Sequence, residues 1–214
     1  MTSKDPKQLA ADLAGCIHGD VFGDIIHRVA FGTDASSYRM VPQCVVAPRD
    51  VRDIATVVRY AAGEGLAVAP RGAGSGLAGE SLCAGIVLDM SRYMKRILHI
   101  ADDGATVTCE PGVVLDEVNK RLAEYGRKIG PDPASANRAT VGGTVANNST
   151  GAHSLQYGHM GQFVERIEVV LADGSVVEFA NGVDVERQSG SAVDAVAQQC
   201  WSLLSENQTV IEEA

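Results

Sequence analysis

An α+β protein with helix–sheet layering and mixed strand directions is predicted by the order of patterns along these 214 residues. Short β-branched and aliphatic runs alternate with stretches whose apolar residues recur at helical spacing, the combination that packs helices on sheets. The pairs Asp103-Gly104 and Asp173-Gly174 sit between strand-like runs and read as tight turns joining antiparallel neighbours.

The elements follow in order. Residues 7–21 carry Leu9, Leu13 and Ile17 on one stripe and predict a helix, with a connecting segment around 33–39. Val45-Val46-Ala47 is a short strand, and Asp50 is placed to cap a helix along which Val51, Ile54, Ala55, Val58 and Ala62 keep the helical period. Gly63 or Gly65 ends that helix. Residues 66–69 and 86–90 are strand-like, and 96–100 and 105–110 flank the first Asp-Gly turn. Leu115, Val118 and Leu122 mark another helix, stopped by Gly126. Residues 163–171 and 175–179 flank the second turn, and Val193, Val196, Ala197, Cys200, Leu203 and Leu204 form a last helical stripe beside Trp201. The expected organisation is an N-terminal helical segment over 1–40, one α/β subdomain over 41–110 and a second over 111–214.

Composition sets limits on partners. The formal charge of −9 and the lack of a basic stripe argue against a nucleic-acid partner. No apolar run approaches the ~20 residues of a membrane span, and the polar start MTSKDPKQ lacks a signal-peptide core. A soluble cytoplasmic domain is expected. Cys16, Cys44, Cys83, Cys109 and Cys200 are far apart with no C-x-x-C pair, which fits scattered thiols and not a disulfide frame, a zinc site or a cluster within these residues. No metal site is expected, since His18, His27, His99 and His159 have no ligand spacing either.

The chemistry concentrates in two segments. Residues 70–80 read PRGAGSGLAGE directly after a strand-like run. Glycines at alternate positions let backbone amides converge into a nest for an anion such as a pyrophosphate. Gly74 to Gly79 also satisfies G-x-G-x-x-G, but the next strand-like run starts at Ile86, too soon for the crossover helix of a dinucleotide-binding unit. No Lys-Ser or Lys-Thr pair follows, which disfavours a Walker loop. A plain surface turn is the bland alternative.

Residues 130–158 read GPDPASANRATVGGTVANNSTGAHSLQYG. Structureless connections longer than about 12–15 residues in compact domains tend to be functional. Here hydroxyl and amide side chains supply donors and acceptors, and Gly142-Gly143 permits close approach. Asn147 and Asn148 as simple turn formers are the structural alternative.

Together the two motifs resemble the FAD-linked oxidase family, the flavoprotein fold shared by vanillyl-alcohol oxidase and p-cresol methylhydroxylase, over about residues 39–179. The resemblance implies that fold's FAD-binding domain, with two α/β subdomains and mixed sheets. Pro70, Arg71, Gly72, Ala73, Gly74, Ser75, Gly76 and Leu77 would hold the FAD pyrophosphate. Pro131, Asp132, Thr140, Gly142, Gly143, Thr144, Asn147, Asn148, Ser149, Gly151, Ser154 and Tyr157 would line the flavin. The wording GPDPAS…TVGGTVANNSTGAHS is most similar to bacterial FAD-dependent D-2-hydroxy-acid dehydrogenases, which act on D-lactate, glycolate or D-2-hydroxyglutarate and often carry an appended iron–sulfur region. It also implies that these residues are the N-terminal part of a longer enzyme, since a glycine-rich region resembling GSEGTLG and a substrate domain are missing. An iron–sulfur cluster would lie in that further sequence, and the electron acceptor is left open. No catalytic base is nominated: His153 falls in the flavin-lining segment, but a turn-supporting histidine is the simpler reading. FAD is expected to be non-covalent, because the first loop holds neither His nor Cys, with Cys83 nearby as the residue to check. A non-catalytic nucleotide-binding module and the flavin domain of a cell-wall precursor reductase are the alternatives.

Overall fold

A computed structural model of the chain describes residues 4–181 and 192–212. Helix α1 spans Pro6–Ala14, with Pro6 in the first turn, where its missing N–H costs nothing, and with Leu9 and Leu13 buried. It is shorter than the residue 7–21 stripe suggests. Gly15 closes the helix, and Asp20–Phe22 becomes strand β1, because antiparallel pairing with β2 (Cys44–Ala47) satisfies its backbone. A short helix α2, Ile25–Ala30, was not legible in the apolar pattern; the Asp24 carboxylate starts it by accepting from the N–H groups of Ile26 and His27.

Helix α3, Val51–Glu64, begins as expected at Asp50, which accepts from Arg52 N at 2.9 Å and Asp53 N at 3.0 Å. It ends at Gly65, whose φ of 65° admits the left-handed cap. Strands β3 (Val68–Arg71) and β4 (Ile86–Asp89) complete a four-stranded sheet in the order β1-β2-β4-β3. β2, β4 and β3 are parallel and β1 is antiparallel, so this sheet is mixed. All four residues of both β2 and β4 are buried, and Leu9, Leu13, Val46, Val57, Ala61, Ile86 and Leu88 form one core between sheet and helices.

Strands β5 (Ile97–Ile100) and β6 (Val107–Cys109) pair antiparallel around the Asp103-Gly104 turn. Helix α4, Leu115–Leu122, packs Val118 and Leu122 with Val113 against Ile97, Ile100, Val107 and Cys109, which makes a second core. Residues 130–158 are not a structureless loop. They contain α5, Val141–Ala146, and a single helical turn α6, Ser154–Tyr157, because Thr140 supplies a cap that compensates for the two glycines of α5. Strands β7 (Arg166–Val170) and β8 (Val176–Ala180) form the expected hairpin. Helices α7, Ala192–Glu206, and α8, Gln208–Glu212, follow; Trp201, Leu203 and Leu204 of the predicted stripe are exposed. Among the described residues no helix is long and apolar enough to cross a membrane.

Candidate cofactor site

The first glycine segment leaves the sheet at the carboxyl end of β3. Arg71 is its last residue, in register with Asp89 at the end of the parallel strand β4. Open α/β sheets offer ligands a crevice at such carboxyl ends. The connection of residues 72–85 returns to a parallel strand without a helix, as the short spacing to Ile86 requires.

The loop is shaped from both sides. Gly74 has φ of 63°, and its carbonyl accepts from Ala35 N at 2.9 Å. Among the described residues, the backbone N–H groups from Gly72 through Leu77 donate to no protein acceptor. A run of six adjacent amides without protein partners is a ready anion nest. Beneath it lies Arg71, half-buried, its guanidinium 5.2 Å from the Phe31 ring centre and its Nη1 donating to Phe31 O at 3.4 Å. Burial pulls the Arg71 pKa below its ordinary value while Asp34 and Asp89 oppose that shift; arginine stays a cation. Asp34 in turn accepts from Ser36 N at 2.9 Å and from Ser81 Oγ at 3.0 Å, fixing the 33–38 segment behind the loop. Pro70 is exposed beside Arg71.

The second segment is held by its own hydrogen bonds. Pro131 is fully buried. Thr140, 3% exposed, caps α5 by accepting from Gly143 N at 3.4 Å, and Gly142 N donates to Pro111 O at 2.9 Å. Thr144 is buried and turns its hydroxyl inward to Val141 O at 2.8 Å, so it supports the segment from behind. Ser149 N donates to Thr144 O at 2.8 Å. Asn148, at φ of 44°, accepts on Oδ1 from Gly161 N at 2.9 Å; this is the turn-forming role that asparagine tolerates well. Gly151 lies directly on the Asp132 backbone, where a Cβ would overlap the carbonyl. The Asp132 carboxylate accepts from His153 N at 3.2 Å and makes a short contact with His153 Nδ1. That pairing, first through the His153 ring and then through its backbone N–H, holds the Asp132 pKa below the usual carboxylate range. His153 thus supports a turn. Ser154 N donates to Gly151 O at 3.1 Å, and Tyr157 lies under Lys128, whose Nζ is 5.0 Å from the ring centre.

The fold brings the two segments into contact. Gly72 is packed on the Thr140 side chain so tightly that a Cβ would overlap Oγ1. Asn147 Nδ2 donates to Glu80 Oε1 at 2.7 Å, and the same carboxylate lies against Gly76. Gly72 is therefore fixed by packing of one segment on the other, and Gly76 and Gly151 by packing within their own segments. Ser154 and Tyr157 belong to the turn that His153 and Asp132 hold: Tyr157 N donates to His153 O at 2.9 Å. Sequence reasoning missed Glu80 and the Phe31, Asp34, Ser36 and Ser81 support. The Asp-x-Ser spacing at 34–36 is the signal that marks such a turn.

The residues present fit a diphosphate-bearing nucleotide: a run of amides without protein partners among the described residues, and a cation beneath it. Cys83 is not set to bond a flavin. It is 8% exposed, its thiol donates to Ile86 O at 3.3 Å, and burial pushes its pKa up, away from the reactive thiolate. Among the described residues no group of three or more His, Cys, Asp or Glu is placed to hold a metal ion.

Over 163 residues the chain is 37% identical to D-2-hydroxyglutarate dehydrogenase of Escherichia coli (strain K12), covering 75% of this chain and 16% of that protein. It is 31% identical over 180 residues to the glycolate oxidase subunit GlcD of Bacillus subtilis (strain 168), covering 83% of this chain and 38% of that one. The chain thus spans well under half the length of these curated relatives. In three dimensions it matches an alkyldihydroxyacetonephosphate synthase with a TM-score of 0.71 at 22% identity, over 87% of this chain and 38% of the other, a likeness of fold. Residues 42–180 match the family described as FAD binding domain, and with both segments inside that span, the chain belongs to this family.

Proposed function

We propose that this chain is the FAD-holding part of a flavoprotein that oxidises a D-2-hydroxy acid of the D-2-hydroxyglutarate, D-lactate or glycolate class. The observation that carries the cofactor placement is the amide run at 72–77 above Arg71, in contact with the second segment through Gly72 and Thr140. Pro70, Arg71, Gly72, Ala73, Gly74, Ser75, Gly76 and Leu77 would hold the pyrophosphate. Gly142, Gly143, Asn147, Ser149 and Gly151, on α5 and the turn after it, would line the isoalloxazine ring. Pro131, Asp132, Thr140, Thr144 and Asn148 hold that wall in shape, and Ser154 and Tyr157 flank it. The 41–110 subdomain carries the first set and 111–214 the second.

FAD, when bound, supplies the two-electron acceptor. The chain's own part is binding and orientation. Arg71 offsets phosphate charge, the nest satisfies phosphate oxygens, and the packed segments keep the ring wall rigid. No base for the hydroxyl is assigned to these residues. The substrate class rests on the relatives' chemistry, and the electron acceptor is left unassigned. The flavin is held without a covalent bond, since the loop holds neither His nor Cys and Cys83 is buried.

The test is anaerobic mixing of the FAD-loaded flavoprotein with D-2-hydroxyglutarate, D-lactate and glycolate. Bleaching near the flavin absorption maximum by at least one of them is expected, with no bleaching by L-2-hydroxyglutarate. Unchanged absorbance with all three refutes the substrate class. Acid precipitation is expected to leave the yellow colour in the supernatant; a yellow pellet refutes non-covalent binding.

A further inference from the structure

Glu80 sits where the two segments meet. Its Oε2 accepts from Ala78 N at 3.0 Å and its Oε1 accepts from Asn147 Nδ2 at 2.7 Å. The carboxylate is also pressed against the Cα of Gly76, where a Cβ would overlap it. Glu80 is exposed, and its hydrogen-bond partners are a neutral amide side chain and a backbone N–H. A fixed negative charge thus lies at the open end of an amide nest whose ligand is itself an anion. Two anions held on adjacent donors repel each other, and water screens that Coulomb penalty only in part at the surface.

We propose that Glu80 is a built-in electrostatic opponent of phosphate binding in the nest. In the ligand-free chain it ties the first loop to Asn147 and satisfies one loop amide. When a diphosphate lies on residues 72–77, the carboxylate on Ala78 N, the next amide along, repels it. Glu80 therefore sets the affinity for the diphosphate part of FAD and leaves the affinity for the flavin ring unchanged. The inference rests on the pyrophosphate assignment of the loop.

The test compares the wild-type chain with Glu80→Gln and Glu80→Ala, titrated with FAD, ADP and riboflavin, and followed by flavin fluorescence or calorimetry. Glutamine keeps an oxygen for Asn147 but carries no charge; alanine removes both hydrogen bonds. Losing a like charge beside the nest near the surface is expected to tighten FAD and ADP about three- to tenfold. Riboflavin, which has no phosphate, is expected to bind equally well to wild type and Glu80→Gln. In both variants the ratio of FAD to riboflavin affinity rises, and this ratio is insensitive to general loosening of the loop. A ratio unchanged or lowered in both variants overturns the proposal and leaves Glu80 a structural clip, with the pyrophosphate assignment intact. Failure of wild type to bind ADP, with FAD no tighter than riboflavin, overturns the assignment of the loop, and the opposing role of Glu80 with it.

Discussion

Replacing Gly72 by Ala probes the joint between the two segments. The added methyl overlaps Thr140 Oγ1 and meets Thr140 Cγ2 at 3.0 Å and Cβ at 3.1 Å. Thr140 is 3% exposed and caps α5, so it has little room to retreat. Overpacking of this kind costs about 1–3 kcal/mol. Thr140→Ala alone loses a cap worth about 0.5–2 kcal/mol, towards the lower end because the bond to Gly143 N is long. In the double variant Thr140→Ala removes Oγ1 and Cγ2 and leaves only the Cβ contact at 3.1 Å, so most of the cost of Gly72→Ala disappears. The expected coupling is about 1–3 kcal/mol, well above the ~0.5 kcal/mol scatter of independent sites. Urea unfolding of the ligand-free chain, followed by far-UV circular dichroism, measures all four proteins, and FAD titration runs alongside. Gly72→Ala weakens FAD binding because it pushes the amide nest off the ring wall, and Thr140→Ala in the same chain recovers part of it. Costs that simply add, or a Gly72→Ala protein as stable as wild type, refute the claim that direct contact of these two residues sets the geometry of the site.

Gly143→Val is the cleaner probe of the ring wall, since a Cβ there meets only Thr140 Oγ1 at 3.2 Å. Glycine and valine differ by only a few tenths of a kcal/mol in helix propensity, so the thermal midpoint stays near wild type while FAD affinity falls; full flavin affinity places Gly143 off the wall. Gly74→Val, by contrast, loses stability as well as FAD, because a φ of 63° is strained by about 1–2 kcal/mol for a residue with a Cβ, and calorimetry of the ligand-free protein shows whether that loss is present. Asp132 has a folded pKa below its unfolded value, so its contribution is present above the ordinary aspartate range near 3.9 and is lost as pH falls through the lower folded value. Asp132→Asn is therefore expected to flatten the acid limb of the stability curve below about pH 4 and leave the neutral-to-alkaline part parallel to wild type, and an unchanged acid limb refutes it. With a thiol reagent at pH 8, Cys16 and Cys200 are expected to react at once, while Cys44, pushed up to about 12 by burial, and buried Cys83 wait for denaturant; rapid labelling of Cys83 reopens it as a flavin attachment point.

Much of this protein is local and so was legible in the chain. The Asp50 cap, the Gly65 stop, the two Asp-Gly hairpins and the glycine loop after β3 depend on neighbours within a few residues, and sequence carries that information directly. The same locality let the two motifs indicate an FAD-binding domain, as the family match at 42–180 shows. Tertiary structure decided the rest. Residues 20–22 became a strand only because β2 offered an open edge, which no helical stripe records. Helix α5 formed across two glycines because Thr140, itself buried by Gly72 from the other segment, could cap it. Glu80 entered the site through Asn147, 67 positions away in sequence. Contacts over that distance depend on how the sheet and helices pack, and composition and spacing carry no trace of them.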